Sequence, residues 1–225
     1  MSVNATPPVP VLVPVRSARL TRGSWALAAT FVVMSLVGTA FSPFLLVEAP
    51  LLLVALSPDP RHVAFAAATV PPLPLIAVGV VRRALFQFAA FGLGVAYGPA
   101  AIRFVEQRAT RLGGLVRFVE RLLGRYGAPL LVLVPLPSVT LLAAASGQSF
   151  AVVVPALLVG NTLWVAVSYF VGDWLSDWSA PVIEFLSRHL VATTAISVAL
   201  VVGYQLVARL RARRRDADQP RLKTQ

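Results

Sequence analysis

Five stretches of this chain carry no Asp, Glu, Lys or Arg: 23–47, 62–81, 84–102, 126–172 and 189–208. Each is apolar and long enough to cross about 30 Å of hydrocarbon, which takes about 20 helical residues. A chain with this pattern has few folds open to it. In lipid an unpaired backbone N–H or C=O costs several kcal/mol, so a spanning segment must be a helix or part of a closed barrel. Runs of this length without alternation predict helices.

Composition agrees. Of 225 residues, 57% are hydrophobic and only 13% charged, against about 25% in a soluble domain. With no cysteine, disulfides and thiolate metal sites are excluded. The net charge of +11 would suggest nucleic acid in a soluble chain. Here it reads as membrane orientation and contact with anionic lipid headgroups, with no nucleic-acid partner. Arg supplies all the basic residues but Lys223, and Ala, Val and Leu abound, a composition that suits a GC-rich bacterial genome. The run after Arg22 is too long for a signal-peptide core and reads as a retained first helix.

Three basic clusters set the expected topology: Arg16, Arg19 and Arg22; Arg103 to Arg125; and Arg209 to Arg215. The positive-inside rule puts all three in the cytoplasm, with both termini. Residues 1–22 and 209–225 are then cytoplasmic tails around one membrane domain, 23–208. Asp173, Asp177 and Glu184, with Trp174 and Trp178, suit the outer interface. Even numbers of crossings fit spans near 24–43, 84–102, 150–172 and 185–208. Two proline-broken apolar segments remain, 44–80 and 128–148. Broken backbone survives at membrane depth only when buried in protein or lining a wet cavity. Both segments are therefore expected to be re-entrant hairpins, one in each half, the pattern of an inverted-repeat transporter fold. In this arrangement Arg82 and Arg83 lie outside. The alternative makes 62–81 a full span with both arginines inside. Residues 103–127 alternate charged and apolar positions at helical spacing and read as an interfacial amphipathic helix.

The second half carries a recognisable order: Pro135 in a broken segment, Gly147, Phe150, Gly160 with Trp164 four residues on, then Gly172. In the first half Glu48 precedes Pro58, Asp59 and Pro60, and a Gly-rich stretch ends at Tyr97-Gly98. Over roughly 44–172 this resembles the DedA family, also called the VTT or SNARE-associated domain. The resemblance implies an all-α membrane fold of about four spans and two hairpins. The implied activity is movement of a phospholipid or polyprenyl-phosphate lipid between leaflets of the bacterial cytoplasmic membrane. The family usually has an Arg three residues before and three after its second-hairpin proline; here those positions are Val132 and Ser138. Loss of that pair leaves a second class open, a scaffold or partner subunit that retains the fold without transport.

The candidate residues follow. Glu48, the only charge between Arg22 and Asp59, is the expected proton-titrating acid, because burial at membrane depth favours the protonated carboxyl. Asp59, Arg61 and Ser138 are candidates for the headgroup site. Ser138 and Thr140 are also suited to capping carbonyls freed at Pro137. Pro58, Pro60, Pro135 and Pro137 shape the hairpin tips, and Gly147, Gly160, Trp164 and Gly172 serve turns and packing. Asn161 is expected to pack against a neighbouring helix. His62 has no second ligand at metal spacing. Nucleophile-elbow, zinc-protease, phosphate-loop and dinucleotide motifs are all missing. No enzyme activity, metal or cofactor is expected.

Overall fold

The computed structural model describes residues 18–98, 100 and 126–218, and all regular structure among them is helical. The expected interfacial helix at 103–127 lies almost wholly outside the described residues, as do 1–17 of the N-terminal tail and 219–225 of the C-terminal one. The helices are α1 (Ala18–Ala40), α2 (Ser42–Glu48), α3 (Pro50–Leu56), α4 (Pro60–Ala66) and α5 (Pro72–Tyr97). They continue with α6 (described over 126–133), α7 (Pro137–Ala145), α8 (Phe150–Trp174), α9 (Ser176–Arg188) and α10 (Leu190–Asp218).

Four of these are long and apolar enough to cross a membrane: Arg19–Ala40, Pro72–Tyr97, Phe150–Trp174 and Leu190–Arg211. The chain is a multi-pass membrane protein on that basis. By contrast α3 and α4, at seven residues each, are about 10 Å long and cannot cross alone. They meet at a non-helical turn, 57–59, and α6 and α7 meet at another, 134–136.

Proline explains both the breaks and the starts. It lacks an N–H, but the first turn of a helix has N–H groups with no internal partner, so proline is accommodated there. Helices α2, α3, α4, α5 and α7 all begin with Pro at the first or second position. This corrects one expectation. Pro72 and Pro74 do not interrupt a hairpin; they start the second span, which runs over Pro72–Tyr97 rather than 84–102. Arg82 and Arg83 are therefore neither outside nor at a cytoplasmic end. They sit near the middle of α5.

Packing brings the two halves across one another. α3 and α7 lie on α5, and α4 lies along α8. α6 presses on α8 at Gly160, where an added Cβ would stand 2.8 Å from the Val132 carbonyl oxygen. At Gly172 an added Cβ would strike the Ala64 backbone of α4. The obstacle at both is backbone, which has no rotamer to yield. The apolar core splits accordingly: Leu131, Val139, Leu142, Val153 and Leu157 around α6–α8, and Val54, Val63, Ala66, Leu75, Val165 and Tyr169 around α3–α5 and α8. Gly147, with φ 85°, makes the left-handed turn that closes α7.

Gly172→Ala is expected to destabilise the protein by about 1–3 kcal/mol, the usual cost of overpacking. Gly203, with nothing within 4 Å of an added Cβ, is the control: Gly203→Ala should be neutral or stabilising. Thermal unfolding of both variants in detergent micelles measures the difference.

Candidate functional site

A helix that stops inside an apolar environment leaves its last carbonyls without partners. At the two turns these carbonyls can be accounted for one by one. The Ser57 carbonyl accepts from His62 Nδ1 at 2.9 Å, which leaves Nδ1 as the protonated ring nitrogen in neutral His62. The Leu56 carbonyl accepts from Arg82 Nη2 at 3.2 Å, and the Pro58 carbonyl from Arg83 Nη1 at 3.4 Å. At the second turn the Leu133 carbonyl accepts from Trp164 Nε1 at 3.0 Å. The Pro135 carbonyl accepts from Gln87 Nε2 and from Arg83 Nη2, the latter at 3.4 Å. Thr140 donates its hydroxyl to the Leu136 carbonyl at 3.1 Å. Most of these donors come from α5 and α8, the two spans between which the turns meet.

The donors form a network of their own. Asn161 Nδ2 donates to Gln87 Oε1 at 2.6 Å, and Arg83 Nε donates to Asn161 Oδ1 at 3.1 Å. Asn161 is fully buried, so it serves the packing expected of it and also fixes Arg83. Arg82, 6% exposed, also reaches the Phe31 carbonyl at 2.9 Å and Ser35 Oγ at 3.3 Å. Its guanidinium carbon lies 4.1 Å from the centroid of the Phe31 ring, a favourable cation–π contact. Arg82 thus fastens α1 and the end of α3 to α5.

The two turns and these side chains enclose a cavity of about 430 Å³. Pro58, Asp59 and Pro60 line it from the first turn and Val134 to Pro137 from the second. Arg82, Arg83, Phe86 and Gln87 of α5, Ser35 of α1 and Trp164 of α8 complete it. Its charge is unbalanced. Two guanidiniums face it against one carboxylate, and that carboxylate is turned elsewhere: Asp59 Oδ2 stands 3.5 Å from Arg61 Nη2 and accepts from Ser57 Oγ at 3.4 Å. Among the described residues no carboxylate lies within ion-pairing distance of Arg82 or Arg83.

The expected site residues are divided by the fold. Pro58, Asp59, Pro60, Pro135, Pro137 and Trp164 come together at the cavity. Arg61 does not join them; with His62 it lines a separate cleft of about 360 Å³ toward α9 and α10. Ser138 is exposed and outside the cavity. Glu48 is exposed at the C-terminal end of α2 and does not line the cavity either. Arg82, Arg83 and Gln87 were not among the candidates, although the pair stands alone between Arg61 and Arg103 in the sequence. Among the described residues no group of three His, Cys, Asp or Glu could hold a metal ion.

No protein-family model, no curated protein and no solved structure matches the chain.

Arg82→Met removes three hydrogen bonds, to the Phe31 and Leu56 carbonyls and to Ser35 Oγ, leaving the Leu56 carbonyl only the longer bond from Ser35 Oγ at 3.4 Å, and is expected to cost about 1–3 kcal/mol of stability. Glu48→Gln, at an exposed helix end, should stay within about 0.5 kcal/mol of wild type. Paired thermal-unfolding curves in the same detergent check both.

Proposed function

We propose that this chain moves a phospholipid or polyprenyl-phosphate lipid between membrane leaflets, as a divergent member of the DedA or VTT family. The observation that carries the reading is the cavity between two proline-broken turns, near the middle of α5 and α8, with unbalanced positive charge on its wall. A lipid that crosses the bilayer must take a charged headgroup through hydrocarbon, which costs several kcal/mol without a polar route. A mid-membrane pocket bearing guanidiniums supplies one, while the tails stay in lipid. An intramembrane charge is expensive, so its retention argues for a function.

In this reading α3–α4 and α6–α7 are re-entrant hairpins that enter from opposite faces. Their packing supports an inverted repeat of α3–α5 and α6–α8. The first hairpin lays α4 on α8, and the second lays α7 on α5, so each half covers the other's span. The basic clusters then keep both termini cytoplasmic. Arg83, on a span, takes the part that the resemblance gives to arginines beside the second hairpin. Its presence in the cavity favours transport over the scaffold reading, which rested on loss of that pair. Asp59, unlike Glu48, lines this cavity.

Purified protein in vesicles with a fluorescent phospholipid should increase the fraction that a membrane-impermeant quencher reaches. Val134→Trp, which fills the cavity from the second turn, should abolish that gain and leave the protein folded by size exclusion. Vesicles in which wild type and the filled variant behave as empty vesicles do would overturn the proposal.

A further inference from the structure

Among the described residues, Arg83 is the one side chain hydrogen-bonded to both turns. Nη1 donates to the Pro58 carbonyl and Nη2 to the Pro135 carbonyl, each at 3.4 Å, while Nε is held by Asn161 at 3.1 Å. The second turn has another tie to α5, through Gln87. The Pro58 carbonyl has none besides Arg83. Among the described residues, the only link running from one turn through a side chain to the other is therefore this guanidinium.

Both Nη bonds are long. Charge-assisted N–H···O bonds to an ionised acceptor ordinarily close to about 2.7–2.9 Å. Amide carbonyls are weaker acceptors than an anion, and among the described residues no carboxylate pairs with Arg83. A partly buried guanidinium held this way is under-compensated. A phosphate oxyanion offers two acceptor oxygens in the planar fork geometry that guanidinium matches. Such a group entering the cavity would compete directly for Nη1 and Nη2, while Nε stays anchored to Asn161.

We infer that Arg83 is a ligand-released latch: a phosphate group that reaches the cavity takes both Nη donors from the Pro58 and Pro135 carbonyls and so unfastens the two turns from each other. The inference rests on the reading of the cavity as a headgroup passage. It adds that ligand binding and the opening of the passage are one event. A pocket that merely held phosphate would trap it. A latch that opens when phosphate arrives gives the headgroup a way onward. Release then loosens the first turn at the Pro58 carbonyl, while Arg82 still holds the neighbouring Leu56 carbonyl and Gln87 still holds Pro135.

The chain has no native cysteine, so thiols at Pro60 and Leu136, exposed residues that line the cavity from the two turns, report turn separation through a short bifunctional cross-linker. In maltoside micelles, which hold no phosphate, Pro60→Cys with Leu136→Cys should cross-link readily. Adding short-chain phosphatidic acid should slow cross-linking several-fold, and diacylglycerol should leave it unchanged. A response to inorganic phosphate as well shows that the oxyanion alone releases the latch; a response to phosphatidic acid only assigns the release to a lipid headgroup. Adding Arg83→Gln should give the slow rate without any phosphate. Should that variant fail to fold, the lipid titration on the two-cysteine protein is sufficient by itself. An unchanged cross-linking rate with every addition sinks the latch but leaves the passage standing if vesicles still exchange lipid. Turn separation without lipid exchange does the reverse.

Discussion

Every feature of the cavity follows from one requirement: backbone carbonyls at an interrupted helix must find donors where water is scarce. Two interruptions that line one cavity bring such carbonyls together. Donors can come from the chain only if polar side chains are placed on apolar spans, and Arg82, Arg83, Gln87 and Trp164 are so placed. Arginine meets the requirement better than lysine would. Its planar fork reaches several carbonyls in fixed directions, and its charge is weakly hydrated, which lowers the cost of bringing it in. The structural demand thus puts two positive charges near the middle of the apolar helix α5 before any ligand is considered.

The two neighbouring arginines divide the work. Arg82 is buried under the Phe31 ring, and its Nη2 serves three acceptors from α1 and α3 while its buried Nε has none. Arg83 is only half-buried and spreads over Pro58, Pro135 and Asn161 at longer distances. One holds the frame; the other stands where a ligand can reach it. Asp59 could have neutralised Arg83 across the cavity, but its carboxylate is turned to Arg61 and Ser57. The exposed Asp59–Arg61 pair contributes little to stability. It keeps the one acid of the cavity from forming an ion pair with Arg83.

Much of this was legible in the residues. The apolar runs called for helices, and the prolines at 58, 60, 135 and 137 marked the two breaks that meet at the cavity. Gly160 and Gly172 were expected at close contacts, and both face backbone. What misled was the proline cluster at 71, 72 and 74. A proline that breaks a helix and one that starts it look the same in a sequence window. Reading these as breaks moved the second span a third of its length along the chain and put Arg82 and Arg83 outside. Glu48, the lone acid of its apolar run, lies at the end of α2 and does not line the cavity.

The sequence by itself determined that this is a helical membrane protein, that its helices break near Pro58–Pro60 and Pro135–Pro137, and which glycines keep backbones close, because those properties rest on local hydrophobicity, proline geometry and the missing glycine Cβ. Which polar residues share a cavity was decided only by tertiary structure. Arg83, Asn161, Pro58 and Pro135 come from four separate segments, and nothing local to any one of them specifies the other three. Their meeting depends on how α3–α4 and α6–α7 cross between α5 and α8, a property of packing across the whole chain.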